Sequence, residues 1–238
     1  MKTVVITGAT QGIGLSISQI LHKNGHEIIG ISRNNDKDFP GIHYQADLSD
    51  KTEREKIFSL IGKKHGNSLW GIINNVGICN PNSLESLTAQ EFEKTFELNV
   101  STALELTKAL VPFLKEKEGG SIINISSITA CGTKDRSSYA VSKASLEALT
   151  TTWALEFAPY NIRVNAVAPG PTQTVLFDTA NPEGSKSRNK AIERIPLGRI
   201  ATTGEVAEAV YFLLSEKSFI NGQVLKVDGG SSLIFAGS

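Results

Sequence analysis

The sequence predicts an α/β protein, a doubly wound parallel sheet with helices on both faces, in one domain spanning residues 1–238. Three observations carry this. Short β-branched apolar runs alternate with longer segments of helical period. The first such run meets the first helical segment through a glycine-rich turn. No internal repeat or low-complexity linker divides the 238 residues, a length that buries one sizeable core. Strands alternating with helices pair in parallel and need cover on both faces, and right-handed crossovers then leave a doubly wound sheet.

The elements follow in order. Lys2–Thr7 reads as the first strand. Ile13–Asn24 is a helix with Ile13, Ile17, Ile20 and Leu21 on one face and Gly25 as its stop. Glu27–Ser32 and Ile42–Gln45 are the second and third strands, Thr52–Lys64 a helix, and Leu69–Asn74 the fourth strand. Thr88 and Glu91 make a capping box for a long helix through about Lys117, which Pro112 should kink because it lacks an amide hydrogen. Ser121–Ser126 is the fifth strand, Ser138–Phe157 a helix and Ile162–Ala168 the sixth strand. Thr202 caps a helix over Glu205–Leu214, and Gln223–Val227 is the last strand. Within a variable insertion around residues 175–200, the polar stretch Thr179–Lys190 is too short to link two domains and reads as a mobile flap over a site.

Composition narrows the function classes. Formal net charge is zero and the two signs are interspersed, which argues against nucleic-acid and membrane-surface partners. No apolar run approaches the roughly 18 residues of a membrane span. The N-terminal apolar run is too short for a signal peptide, so the expected compartment is the cytoplasm. Cys79 and Cys131 share no metal-type spacing and read as reduced thiols, Cys131 as a filler near the site. His22, His26, His43 and His65 are scattered, so no metal is expected. There is no G-x-S-x-G elbow for serine hydrolysis.

The turn Thr7-Gly8-Ala9-Thr10-Gln11-Gly12-Ile13-Gly14 sits where the first strand meets the first helix. Glycines there let the backbone approach a pyrophosphate, and the helix N-terminus offers free N–H groups and its positive dipole end. The spacing is G-x-x-x-G-x-G, and its strand–turn–helix context points to a Rossmann-type dinucleotide site. At the end of the second strand, Ser32-Arg33 stands where an acid would meet a free ribose 2′-hydroxyl. Hydroxyl plus guanidinium suits a 2′-phosphate, so NADP(H) is preferred and NAD(H) remains possible, with Asp36 the alternative acid.

Tyr139 and Lys143 lie four apart at the start of a predicted helix and so share a face. A phenol titrates near 10, and a neighbouring ammonium should lower that value, making Tyr139 a general acid for ketone reduction or a base for alcohol oxidation. Asn124-Ile125-Ser126-Ser127, Asn74-Asn75-Val76-Gly77 and Pro169-Gly170-Pro171-Thr172-Gln173-Thr174 end three strands toward one rim, the carboxyl edge where such sheets bind ligands.

On these residues the chain resembles the short-chain dehydrogenase/reductases, most of all the 3-oxoacyl-carrier-protein reductases and related ketoreductases. The resemblance runs through Thr7–Gly14, Asp47, Asn74–Gly77, Asn99, Ser127, Tyr139 with Lys143, Arg163-Val164-Asn165, Pro169-Gly170 and Gly222 to Gly230. It implies that Tyr139 exchanges the proton, Lys143 lowers its pKa and binds the ribose, Ser127 orients the carbonyl, and Asn99 helps hold a water linking Lys143 to solvent. It further implies that Gly8, Gly12, Ile13 and Gly14, with Thr10 and Gln11 in the same turn, line the pyrophosphate. Asp47 and Leu48 would flank the adenine. Asn75, Val76 and Gly77 would pass under the adenosine ribose. Thr172 and Thr174, beyond Pro169 and Gly170, would meet the carboxamide. A homodimer or homotetramer is expected, with the long kinked helix and the Tyr139 helix at one interface.

The chain departs from that pattern in a loop one residue shorter between serine and tyrosine. Counting back from Tyr139 selects Ser126, whereas the strand pattern selects Ser127, and Ser127 is preferred. The reading is an NADP(H)-dependent enzyme acting on a small carbonyl or alcohol, with a 3-oxoacyl thioester or small ketone as substrate. The alternatives are a non-catalytic NADP-binding regulator and an NAD-dependent alcohol dehydrogenase.

Overall fold

The computed structural model describes residues 2–234. In chain order the elements are β1 (Thr3–Thr7), α1 (Gly12–Lys23), β2 (Glu27–Ser32), β3 (Ile42–Gln45), α2 (Lys51–His65), β4 (Leu69–Asn74), α3 (Ala89–Phe96) and α4 (Thr102–Glu116). They continue with β5 (Gly120–Ile125), α5 (Ser137–Phe157), β6 (Ile162–Pro169), α6 (Val175–Ala180), α7 (Lys186–Glu193), α8 (Thr203–Leu214), β7 (Val224–Val227) and α9 (Ser231–Ile234). Seven strands form one sheet in the order β3-β2-β1-β4-β5-β6-β7, with every neighbouring pair parallel. The winding reverses between β1 and β4, and that reversal opens a crevice at the strands' carboxyl ends.

Side-chain alternation explains the two layers. Val4 and Ile6 of β1 join Ile17 and Leu21 of α1 and Val206, Val210 and Leu213 of α8 in one core cluster. Val5, between them, points the other way, into a second cluster with Phe58 and Ile61 of α2, Leu106 and Leu110 of α4, and Trp153 and Phe157 of α5. Each fully buried side chain of this size contributes roughly 1.5–3 kcal/mol relative to exposure. Among the described residues no helix is long and apolar enough to cross a membrane.

One expectation needs correction. The predicted single helix from Thr88 to about Lys117 is two, α3 and α4, joined by a π turn over Glu97–Ser101. The capping box of Thr88 and Glu91 is present. Helix α4 continues through Pro112 to Glu116. Pro112 and Lys108 both lie on the exposed side, so water can reach the carbonyl that the proline leaves without a donor. The interruption falls at the π turn, where Asn99 reaches inward.

The stretch Thr179–Lys190, read as a flap over a site, contains the end of α6 and the start of α7. Thr174 caps α6 by accepting from the Phe177 amide at 3.1 Å, and Ser185 caps α7 through the Arg188 amide at 3.2 Å. Arg188 then bonds Asp178 at 2.6 Å and clamps the two short helices together.

The Arg163-Val164-Asn165 run holds the sheet's far edge. The Arg163 guanidinium donates to the carbonyls of Leu213, Leu214, Ser215 and Ile220, and closes the end of α8. The Asn165 side chain accepts from the Gln223 amide at 3.0 Å and donates to the Ile220 carbonyl at 2.9 Å, which aligns β7.

Candidate active site

A cavity of about 770 Å³ opens along the carboxyl edge. Gly8, Gln11, Gly12, Ile13 and Gly14 line one end, Asn75, Val76 and Gly77 pass beneath it, and Pro169, Gly170, Thr172 and Thr174 face them. Ser126, Ser127, Tyr139 and Lys143 line the other end.

The turn after β1 is shaped for close approach. Gly8 and Gly12 adopt φ of 64° and 53°, the left-handed region that glycine enters without strain. A Cβ on Gly14 would lie 2.0 Å from the Gly8 carbonyl oxygen. The N-cap of α1, Gln11, makes no side-chain cap, and the first turn holds no acid. The leading amides of α1 are therefore left for an anion. This cradle fits the pyrophosphate of a dinucleotide.

Thr10, Ser32, Arg33, Asp47 and Leu48 gather beyond that turn, at the ends of β2 and β3. The hydroxyls of Thr10 and Ser32 are 2.9 Å apart, and His43 Nε2 stands 2.9 Å from Ser32. Arg33 is exposed, and its charge helps hold the Asp47 carboxylate ionised, after the larger effect of the Ser49 amide and hydroxyl. Leu48 packs into the core, where its carbonyl accepts from Arg54 at 2.9 Å. The Asp36 carboxylate caps its own turn through the Asp38 amide at 2.8 Å.

The other end gathers residues from four elements. Lys143, almost wholly buried, donates its ammonium to the Ile125 carbonyl at 2.7 Å. Asn99 Oδ1 accepts from the Ile78 amide at 2.8 Å, while its Nδ2 donates to the Ile78 carbonyl and the Ser142 hydroxyl, each at 3.0 Å. A Cβ on Gly77 would come within 3.2 Å of Asn99 Oδ1 and 3.4 Å of Lys143 Nζ, so this glycine leaves room for both side chains.

The serines diverge. Ser126 turns onto α5, 2.7 Å from the Glu147 carboxylate and 3.2 Å from the Lys143 carbonyl. Ser127 lies against the Tyr139 phenol, where its hydrogen bond favours the ionised form, and accepts from the Thr129 amide at 3.2 Å. Thr172 donates to the Gly170 carbonyl at 2.9 Å, and Thr174 serves as the α6 cap.

The electrostatics depart from the sequence expectation. Burial pushes the Tyr139 phenol up to about 12, with Cys79 adding to the rise and Ser127 and Arg136 opposing it. Burial likewise brings Lys143 down to about 8. The ammonium does not pull the phenol down here, because desolvation acts on both groups and the ammonium is directed to Ile125.

Sequence reasoning missed four contributors. Cys79 and Arg136 line the end that holds Tyr139, and Lys190 of α7 and Arg194, just past its last residue, line the cavity as well. Arg136 carried a signal: it precedes Tyr139 by three residues, so the two share the start of α5. Among the described residues no group of three or more His, Cys, Asp or Glu side chains could hold a metal ion.

A dinucleotide cradle, a reversed sheet and a phenol beside a buried amine define an oxidoreductase that works on carbonyl and alcohol carbons. The chain belongs to the short-chain dehydrogenase/reductase family: the family model described as enoyl-(acyl carrier protein) reductase matches residues 8–232. The 3-oxoacyl-[acyl-carrier-protein] reductase FabG of Thermotoga maritima is 34% identical over 242 residues, covering 96% of this chain and 97% of that protein. The ligand-free aldohexose dehydrogenase of Thermoplasma acidophilum superposes with a TM-score of 0.89 at 33% identity, covering 98% of this chain and 94% of that one. ElxO, solved with NADP bound, superposes with a TM-score of 0.88 at 31% identity, covering 97% and 98%.

Proposed function

We propose that this enzyme is an NADP(H)-dependent ketoreductase similar in action to the 3-oxoacyl thioester reductases. The observation that carries the reading is the Tyr139 phenol, set between Ser127 and Lys143 at the end of the cavity that begins with the glycine cradle. A nicotinamide dinucleotide, when bound, supplies the hydride. Gly8, Gly12, Ile13 and Gly14 would hold its pyrophosphate, with Thr10 and Gln11 in the same turn. Asp47 and Leu48 would border the adenine, and Asn75, Val76 and Gly77 the adenosine ribose. Pro169, Gly170, Thr172 and Thr174 would border the nicotinamide.

The remaining steps belong to side chains of this chain. The Ser127 hydroxyl holds the substrate oxygen beside the phenol. Tyr139 gives that oxygen its proton as the carbonyl becomes an alcohol, and takes it back in the reverse direction. Lys143 places a positive charge behind the phenol, and Asn99 anchors the strand-end loop at Ile78 and the start of α5 at Ser142.

The NADP(H) preference rests on Ser32 and Arg33. Arg33 is exposed at the end of β2, and Asp36, the alternative acid, is occupied with its own turn. The relative solved with NADP bound supports the same choice. Initial rates with NADPH and NADH across ketones, diketones and acetoacetyl thioesters test the reading. Arg33→Ala should weaken NADPH about tenfold or more beyond any loss for NADH, since it removes a charge-assisted contact. Equal losses would remove the preference, and failure of every carbonyl to oxidise either dinucleotide would overturn the function.

A further inference from the structure

The cavity wall carries a charge that the whole chain does not. Formal net charge is zero. Yet five lining residues are cations, Arg136, Lys143, Lys190, Arg194 and Lys226, and among the described lining residues none is Asp or Glu. Such a cavity concentrates anions.

The five are not equivalent. Lys143 is committed to the Ile125 carbonyl. Lys226 acts on the Asp228 carboxylate. Lys190 and Arg194 lie four apart on α7 and at its end, both exposed, and form the rim. Arg136 is the inner cation. It is half-buried at the N-cap of α5, three residues before Tyr139. Its Nη1 donates to the Cys79 sulfur at 3.3 Å.

That partner is a poor match for it. A guanidinium presents five donors in a rigid fork built for two oxygens, whereas a thiol is a weak acceptor. Burial pushes the Cys79 thiol up, so it stays neutral and supplies no counter-charge. The chain's other sheltered guanidiniums are matched. Arg54 meets Glu97 and Glu105, Arg188 meets Asp178, and Arg163 meets four carbonyls. Among the described residues no carboxylate pairs with Arg136. The fork therefore faces the reacting end of the cavity with most of its donors available. Ile128, Leu176 and Phe177 supply apolar wall nearby.

We propose that Arg136 anchors a carboxylate on the substrate itself, so that the carbonyl compound reduced at Tyr139 is an oxo acid with an apolar body. Lys190 and Arg194 draw the anion in from the rim, and the fork of Arg136 takes its two oxygens beside the phenol. This rests on the ketoreductase reading above and adds the chemical class of its substrate.

The test uses oxohexanoates with the ketone at carbons two to five, each compared with its methyl ester, in the wild-type protein, Arg136→Gln and Arg136→Lys. The wild-type protein should prefer at least one acid over its ester in kcat/KM by about tenfold or more, the scale of a charge-assisted pair. Arg136→Gln should erase that ratio mainly through KM, and Arg136→Lys should restore part of it. Calorimetric titration of the matching hydroxyhexanoate into NADP-loaded protein should show binding to the wild type that Arg136→Gln loses. Equal use of acids and esters by the wild type would overturn the proposal while leaving the ketoreductase reading intact. A drop in NADPH affinity in Arg136→Gln, with the acid-to-ester ratio kept, would assign the cation to the dinucleotide and also overturn it. If no carbonyl of either kind turns over, the ketoreductase reading fails. The calorimetry then decides the anchor alone, and hydroxy-acid binding indifferent to Arg136 would sink it.

Discussion

The ammonium of Lys143 lies 5.6 Å from the centre of the Tyr139 ring, yet its 2.7 Å hydrogen bond runs to the carbonyl of Ile125. The amine is thus braced on the end of β5 while facing the phenol. Both groups are set by burial, which keeps the phenol protonated and loosens the proton on the amine. A phenol that holds its proton at neutral pH is in the form a proton donor needs.

Lys143 makes a stability change that follows pH. In the folded chain its proton leaves as pH rises through about 8, against an ordinary lysine value of 10.5. Between those values the unfolded chain binds more protons, so stability contributed at this site rises with pH there. Below about 8 both states are charged and the burial penalty is fully present. Urea unfolding of the wild type and Lys143→Met at several pH values checks this. The wild type should gain on the variant as pH climbs through that window, and a constant difference would refute it.

Removing only the phenolic oxygen separates chemistry from binding. Tyr139→Phe keeps the ring that Lys143 faces and should cut kcat by about 10²–10⁴, the range for losing a positioned acid. Dinucleotide affinity, read by fluorescence titration, should stay close to wild type. Turnover within about tenfold of wild type would take the proton away from Tyr139, since a positioned acid supplies more than that.

What could be read in advance was local. Tyr139 and Lys143 are four apart on one helix, and the glycine turn is a contiguous run, so spacing alone brings each group together. The strands of both core clusters were visible because β-branched runs alternate with helical periods. The π turn was not, because Asn99 finds Ile78 and Ser142 only after distant segments pack. Short α6 and α7 bury no residue fully and so show no period, and their caps and the Arg188–Asp178 clamp hold them. Ser126 and Ser127 point opposite ways at a strand end, and counting residues could not say which faces Tyr139 until Glu147 of α5 claimed Ser126. The elevated phenol was hidden for a different reason: spacing reports neighbours, and desolvation depends on everything packed around them.

Arg54 is the largest fully buried side chain, and it links the two ends of the site's support. From α2 it bonds Glu105 of α4 at 2.9 Å, Glu97 of the π turn, and the Leu48 carbonyl at 2.9 Å. Removing one partner of a buried ion pair leaves the other uncompensated, at a cost of about 3–5 kcal/mol. Glu97 is 45% exposed and can be rehydrated, so Glu105, at 26%, carries the larger share. Arg54→Met should therefore destabilise the fold by several kcal/mol in urea unfolding, on the scale of a broken buried pair. Adding Glu105→Gln to Arg54→Met should recover part of that loss, because the stranded charge is gone, whereas adding Glu97→Gln should recover less. A loss below about 1 kcal/mol for Arg54→Met, or additive losses in both double variants, would mean the network does not hold the π turn in place.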